Sequence, residues 1–175
     1  MTEVNQSPTI EEIKRELKKQ YSADDYEPCN EACMVVPPEN IIHVCKTLRD
    51  KFHFELLAEE TAVDYWPEEK PRFHLIYRLR SIKHNLIFGL RVALNGNAPI
   101  MPSLVDVYKN ANWFEREIWD MFGIKFEGHP DLRRVIMPYD WEGHPLRKDY
   151  PLGYEEVQYT FNFDEIDVRK PYAEE

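Results

Sequence analysis

Apolar residues recur three and four apart at Ile10, Ile13 and Leu17, which predicts a helix over residues 9–20 with one buried stripe. Ser7 or Thr9 can cap it, and Glu11 and Glu12 fall in the first turn, where the helix dipole favours acids. The stretch YSADDYEPCNEA reads as loop. Residues 32–36, ACMVV, read as a short strand stopped by Pro37 and Pro38. A second helix is expected at about 38–51, with Pro38 in its first turn. Ile41, Val44, Cys45 and Leu48 share one face of it, and His43 faces away.

Three strands come next. Residues 54–65 are a rough candidate. Residues 72–80 alternate: Phe73, Leu75, Tyr77 and Leu79 lie on one face, and Arg72, His74, Arg78 and Arg80 on the other, with Ile76 among them. Residues 84–94 do the same, with Leu86, Phe88, Leu90, Val92 and Leu94 inward. The turn-rich segments WPEEKP and SIKHN separate them, so an antiparallel meander is the economical arrangement. The order helix, strand, helix, three strands predicts an α+β fold, a two-layer sandwich of helices on a mixed, mostly antiparallel sheet. NGNAPIMP then breaks the pattern, and Ser103 can cap a further helical segment ending near Gly123. From residue 124 the chain is rich in proline, glycine and aromatic residues without a sustained period, and reads as an extended, irregular arm that packs on something else. The expected partition is an α+β domain over 1–100 and a short helix with a partner-binding arm over 101–175.

Composition narrows the function. The net charge of -10, from 32 acids against 22 bases, argues against nucleic-acid binding, because phosphates need a basic face. No apolar run approaches the roughly 20 residues that span a bilayer. The acidic start, MTEVNQSPTIEEIKREL, lacks the apolar stretch of a signal peptide and the arginines of a transit peptide, so the chain is expected in the cytosol or on the cytosolic side of a membrane. Three cysteines, Cys29, Cys33 and Cys45, are an odd count that argues against a disulfide framework. Their spacing differs from that of ferredoxin-type clusters, and Cys45, on an apolar face, is expected to be buried. With neither GxGxxG nor a Walker pattern, no nucleotide site is expected.

The informative segment is WFEREIWDMFGIKFEGHPDLRRVIMPYDWEGHPLRKDYPL, residues 113–152. Phe114, Ile118, Met121 and Phe122 form an apolar stripe, while Glu115, Arg116, Glu117 and Asp120 crowd into the same turns. Arg116 and Asp120, four apart, can pair on one face. Glu117 and Asp120 are also spaced for a metal or an acid/base pair, but no His follows a Glu at i+3, so an ion-pair network is preferred. Then Glu-Gly-His-Pro occurs twice, at 127–130 and 142–145, each time followed by basic residues: Arg133 and Arg134, then Arg147 and Lys148. Pro fixes its own φ and extends the residue before it, so two rigid turns each present a basic pair. Arginine's planar fork suits carboxylates, which suggests docking on an acidic partner surface. Three rival readings remain. His129 and His144 could ligate zinc, but lack a CxxC or HxxxH companion. A phosphate site would need a Gly-rich loop opening a helix. Or the arm folds back onto its own sheet with its charges solvated. The tail after Pro151 carries seven acids and two bases, a local -5.

This segment resembles the C subunit of proton-pumping NADH:quinone oxidoreductase (respiratory complex I, NDH-1). The matching residues are Glu115-Arg116-Glu117, Asp120 to Ile124, Gly128-His129-Pro130, Leu132-Arg133-Arg134, Met137-Pro138, Asp140 to Pro145 and Leu146 to Tyr150. Tyr139 departs from the acid expected there, and Trp119 from a Tyr or small residue. The resemblance implies a structural component without a catalytic site, cofactor or metal of its own, in a complex carrying FMN, iron–sulfur clusters and quinone in other subunits. It implies a peripheral arm on the cytoplasmic side of the bacterial inner membrane, reaching the membrane only through the complex. Its partners would be the hydrogenase-like large D subunit at the quinone site and the neighbouring B and I subunits. The partner-binding residues implied are Glu115, Arg116, Glu117, Asp120, His129, Arg133, Arg134, Trp141, His144, Arg147, Lys148, Asp149 and Tyr150. Alternatives are the equivalent subunit of a membrane-bound hydrogenase or of a ferredoxin- or coenzyme F420-dependent complex, a free-standing adaptor, and a stand-alone metal enzyme using Glu117, Asp120, His129 and His144.

Overall fold

A computed structural model describes residues 8–26, 32–68 and 70–150. Helix α1 runs Ile10–Tyr21 and starts with a capping box: Thr9 Oγ1 accepts from Glu12 N, and Glu12 Oε2 accepts from Thr9 N. Its stripe buries Ile13 and Leu17. Strands β1 (Asp24–Tyr26) and β2 (Cys33–Val35) follow, then a short 3-10 turn at Pro38–Asn40 leading into α2 (Ile41–Phe52). Helix α2 buries Ile41, Val44, Cys45, Leu48 and Phe52. The long strands are β3 (Leu56–Asp64), β4 (Phe73–Ser81) and β5 (Leu86–Leu94). A second, two-stranded sheet pairs β6 (Ile100–Pro102) with β7 (Lys125–Glu127) in parallel, across α3 (Ala111–Phe122).

The main sheet has the order β1-β2-β5-β4-β3. Its three long strands form the expected antiparallel meander. β2 lies parallel to β5 in the middle, and β1 adds antiparallel to β2 at one edge. The result is the expected α+β sandwich on a mixed, mostly antiparallel sheet. Gly89 of β5 sits against Cys33 of β2, where an added Cβ would meet Cys33 Sγ at 3.0 Å.

Several expectations are corrected. β1 lies inside the segment read as loop, because three residues are too few to display a period. Ser103 does not cap the third helix, which starts eight residues later after Asn110; its hydroxyl instead donates to Glu115. Arg72 is fully buried rather than on the outward face, because Asp64 receives it. One hydrophobic cluster runs from Ile13 to Phe126, so α3, β6 and β7 share the core of the sheet.

Candidate partner-binding site

Helix α3 is amphipathic in an unusual sense: Glu115, Arg116 and Asp120 are buried along with Ile118 and Met121. Each buried charge is occupied. Glu115 accepts from Ser103 Oγ and Leu104 N, both at 2.6 Å, and so pins the segment ahead of the helix. Arg116 does not pair with Asp120; it donates to the carbonyls of Arg133 (3.1 Å) and Arg134 (3.3 Å), with its guanidinium over the Trp113 ring. Asp120 Oδ2 accepts the backbone N–H groups of Val135 (3.0 Å), Ile136 (2.8 Å) and Met137 (3.0 Å), while Oδ1 takes Arg134 at 2.5 Å. Burial alone would raise the Asp120 pKa. These four donors outweigh it and hold the carboxyl below the usual range.

The arm from Gly128 to Tyr150 is thus laid along its own domain. Arg134 bridges Asp120 to the carbonyls of Trp141 (2.6 Å) and Gly143 (3.1 Å). His129 Nε2 lies 3.2 Å from Asn112 O, and His144 Nδ1 lies 3.0 Å from Asp120 O. His144 stacks edge-on to Trp119 and fills the space over Gly123, whose φ of 74° closes α3.

A second polar cluster holds the far end of the arm. The buried Arg72 donates to Asp64 through Nε (3.0 Å) and Nη2 (2.9 Å), to Asp149 (2.8 Å) and to Asn97 (2.6 Å). Asp149 also binds Arg147, whose Nη1 reaches Asn97 O at 2.9 Å, and Lys148 N donates to Asp64 Oδ2 at 2.9 Å. Burial opposes ionisation of Asp64 and Asp149, but the arginines and the N–H donors win and lower both pKa values. Sequence reading missed Asp64, Arg72 and Asn97 as site residues, because a bulge between Leu57 and Glu59 shifts the inward set of β3 onto Asp64. Tyr150 donates to Glu142 O at 3.3 Å and lies over Gly143.

Of the thirteen residues implied by the resemblance, Glu117, Arg133 and Lys148 remain exposed, and the Asp149 side chain is exposed in part. Arg133 pairs with Asp131 on the surface, a contact of small value. Trp141 is half-buried, with an indole N–H that meets no acceptor among the described residues. Beside its exposed charges the arm also turns four large apolar side chains outward: Val135 is 42% exposed, Ile136 56%, Tyr139 94% and Leu146 54%. Among the described residues no three His, Cys, Asp or Glu side chains are grouped to hold a metal, so Glu117, Asp120, His129 and His144 are not brought together as a site. No helix of the described residues is long and apolar enough to cross a membrane. Cys29 and the tail after Pro151 lie outside the described residues.

Fold and site together define a class: a two-layer α+β domain that carries an irregular strap fastened by buried ion pairs. Comparison with known proteins narrows the class to a family. The profile described as respiratory-chain NADH dehydrogenase, 30 Kd subunit, matches residues 34–156. The chain is 49% identical over 142 residues to the NADH-quinone oxidoreductase C subunit of Roseiflexus sp. (strain RS-1), covering 80% of this chain and 81% of that one. It is 40% identical over 152 residues to the protein of the same name from Paramagnetospirillum magneticum, covering 85% and 75%. Among solved structures it resembles a trypsin-resistant fragment of Nqo5, with TM-score 0.59, 29% identity and coverage of 70% and 98%. A chain of an archaeal membrane-bound sulfane sulfur reductase shares the fold at TM-score 0.69 and 23% identity, covering 94% of this chain and 95% of that one. The chain belongs to the 30 kDa subunit family of respiratory-chain NADH dehydrogenase, which is that of the NADH-quinone oxidoreductase C subunit.

Proposed function

We propose that this chain is a structural component of a proton-pumping NADH:quinone oxidoreductase, without catalytic site or cofactor of its own, and that its arm grips the quinone-site D subunit beside the B and I subunits. FMN, the iron–sulfur clusters and quinone belong to other subunits. The complex stands on the cytoplasmic side of the bacterial inner membrane, and this chain reaches the membrane only through it. Family membership supports the role of a component within such a complex. One observation carries the gripping role: Val135, Ile136, Tyr139 and Leu146 stand exposed on a strap whose backbone is held by Asp120, Arg134 and Arg147. Apolar side chains on a pre-ordered backbone bind a partner without a large ordering cost. In this reading the charges named in the sequence order the strap, and the apolar side chains contact the partner.

The test is affinity capture of the tagged full chain from native membranes. Wild type is expected to recover flavin-, cluster- and quinone-site subunits. Ile136→Asp combined with Tyr139→Ala is expected to lose them with an unchanged thermal midpoint, because both side chains are solvated in the isolated chain. Recovery of none of these subunits by wild type, or stoichiometric flavin, cluster or metal in the purified chain, would overturn the reading.

A further inference from the structure

Strand β3 carries Glu60 into the interior, where the residue is 4% exposed. Neither carboxylate oxygen has a hydrogen-bond partner among the described residues. Across the β3–β4 ladder Glu60 is registered with Tyr77, whose buried hydroxyl is likewise unpartnered. From α3, the fully buried Glu115 is close enough for its charge to be felt at Glu60. From α2 comes the buried Cys45 thiol, which feels the Glu60 charge. The Tyr108 hydroxyl, ahead of α3, faces Cys45 and donates to Phe54 O at 2.8 Å. Among the described residues, no cation offsets burial and the Glu115 charge at Glu60. Three buried polar atoms on paired strands are thus without a partner among the described residues, with a second carboxyl near enough to act on them. A carboxylate buried without a donor neutralises rather than persists. Two interacting carboxyls titrate as a pair, and the second charge is resisted.

We propose that Glu60, Tyr77 and Glu115 form a proton-binding site that locks α3 onto the sheet, so that the docking of α3 and of the strap tied to it depends on one bound proton. The proton resides on Glu60, which has no donor to stabilise an anion. Glu115 has two donors, Ser103 and Leu104, and is the carboxyl that ionises first. Burial raises the Glu60 pKa and the Glu115 charge adds to the effect. Burial also lifts Glu115 to about 7, against those two donors. The folded chain therefore keeps protons that an unfolded chain releases above about pH 4.3. Stability falls as pH rises from there through the folded pKa values, by about tenfold in the folding equilibrium per pH unit for each proton. His74, lowered to about 4 mainly by burial and then by Arg91, contributes the opposite slope below about pH 6.5. It is common to wild type and Glu60 variants and cancels in their difference.

The experiment uses the full chain and compares wild type with Glu60→Gln and Glu60→Leu. Denaturant midpoints are followed from about pH 5 to about pH 8.5, with infrared spectra of the carboxyl region at each pH. Near pH 7 wild type should show a protonated-carboxyl C=O band stronger than that of either variant, in which only Glu115 still holds part of a proton. Relative to either variant, wild type should lose up to about tenfold in folding equilibrium per pH unit, and at the alkaline end α3 amides should exchange faster in wild type. Stability curves that run parallel, or a wild-type band already absent at about pH 6, would overturn the proposal. If neither variant folds, the wild-type band still decides. Loss of the band together with α3 amide protection supports the site, and its absence while α3 stays protected overturns it.

Discussion

Asp120 shows how much one carboxylate can organise. Its two oxygens gather three consecutive N–H groups and a guanidinium, and its own carbonyl lies beside His144. The segment 135–137 has no helix or strand to satisfy those N–H groups, so the side chain takes the place of a ladder. Asp120→Ala should cost about 3–5 kcal/mol in denaturant unfolding, because Arg134 is left with a stranded, largely buried charge. The pH sign follows from the lowered pKa. Stability from this group is fully present above the unfolded value near about pH 3.9 and is lost as pH falls through the folded value. Asp120→Asn should remove that part of the acid sensitivity. An unchanged acid limb in denaturant titrations of Asp120→Asn would show that the carboxylate does not hold the strap.

Among the elements, α3 is the joint between sheet and strap. Its C-terminal Gly123 has φ 74°, and a Cβ there would lie 2.5 Å from His144 Cδ2. Gly123→Ala should therefore cost about 1–2 kcal/mol in backbone strain. It should also expel His144 and open the Leu146 N to Met121 O hydrogen bond (3.0 Å). Limited proteolysis should then cut near residues 144–147 while the sheet stays intact; a cleavage pattern equal to wild type would count against this joint. How readable each element was depended on its length and its parity. β4 and β5 alternate for nine residues each, so their inward faces could be named from the sequence. β3 was blurred by a bulge between Leu57 and Glu59, which moves the inward set from Leu57 to Glu60, Ala62 and Asp64. That slip hid both Glu60 and Asp64, the two acids that matter most on this strand. β6 and β7 have three residues each and pair over a long separation, which no local period reveals.

For the molecule as a whole, the motif was visible as a constellation, but its direction of action was not. Basic pairs after Gly-His-Pro suggested charges reaching outward. Arg134 and Arg147 instead turn inward, because Asp120, Asp149 and backbone carbonyls lie within reach once the chain is folded. Sequence spacing cannot show a carboxylate from a distant strand, such as Asp64 waiting under Lys148 N. Val135, Ile136, Tyr139 and Leu146 stand exposed on the strap of a chain whose net charge is -10.

All of this rests on the strap being ordered by its own chain before any partner arrives. Hydrogen–deuterium exchange on the isolated full-length chain reads it at the amides of Val135, Ile136 and Met137. Slow exchange at all three in wild type, abolished in Asp120→Ala, is the result expected. Exchange at the rate of an unstructured peptide in wild type would mean that the partner, and not Asp120, folds the strap.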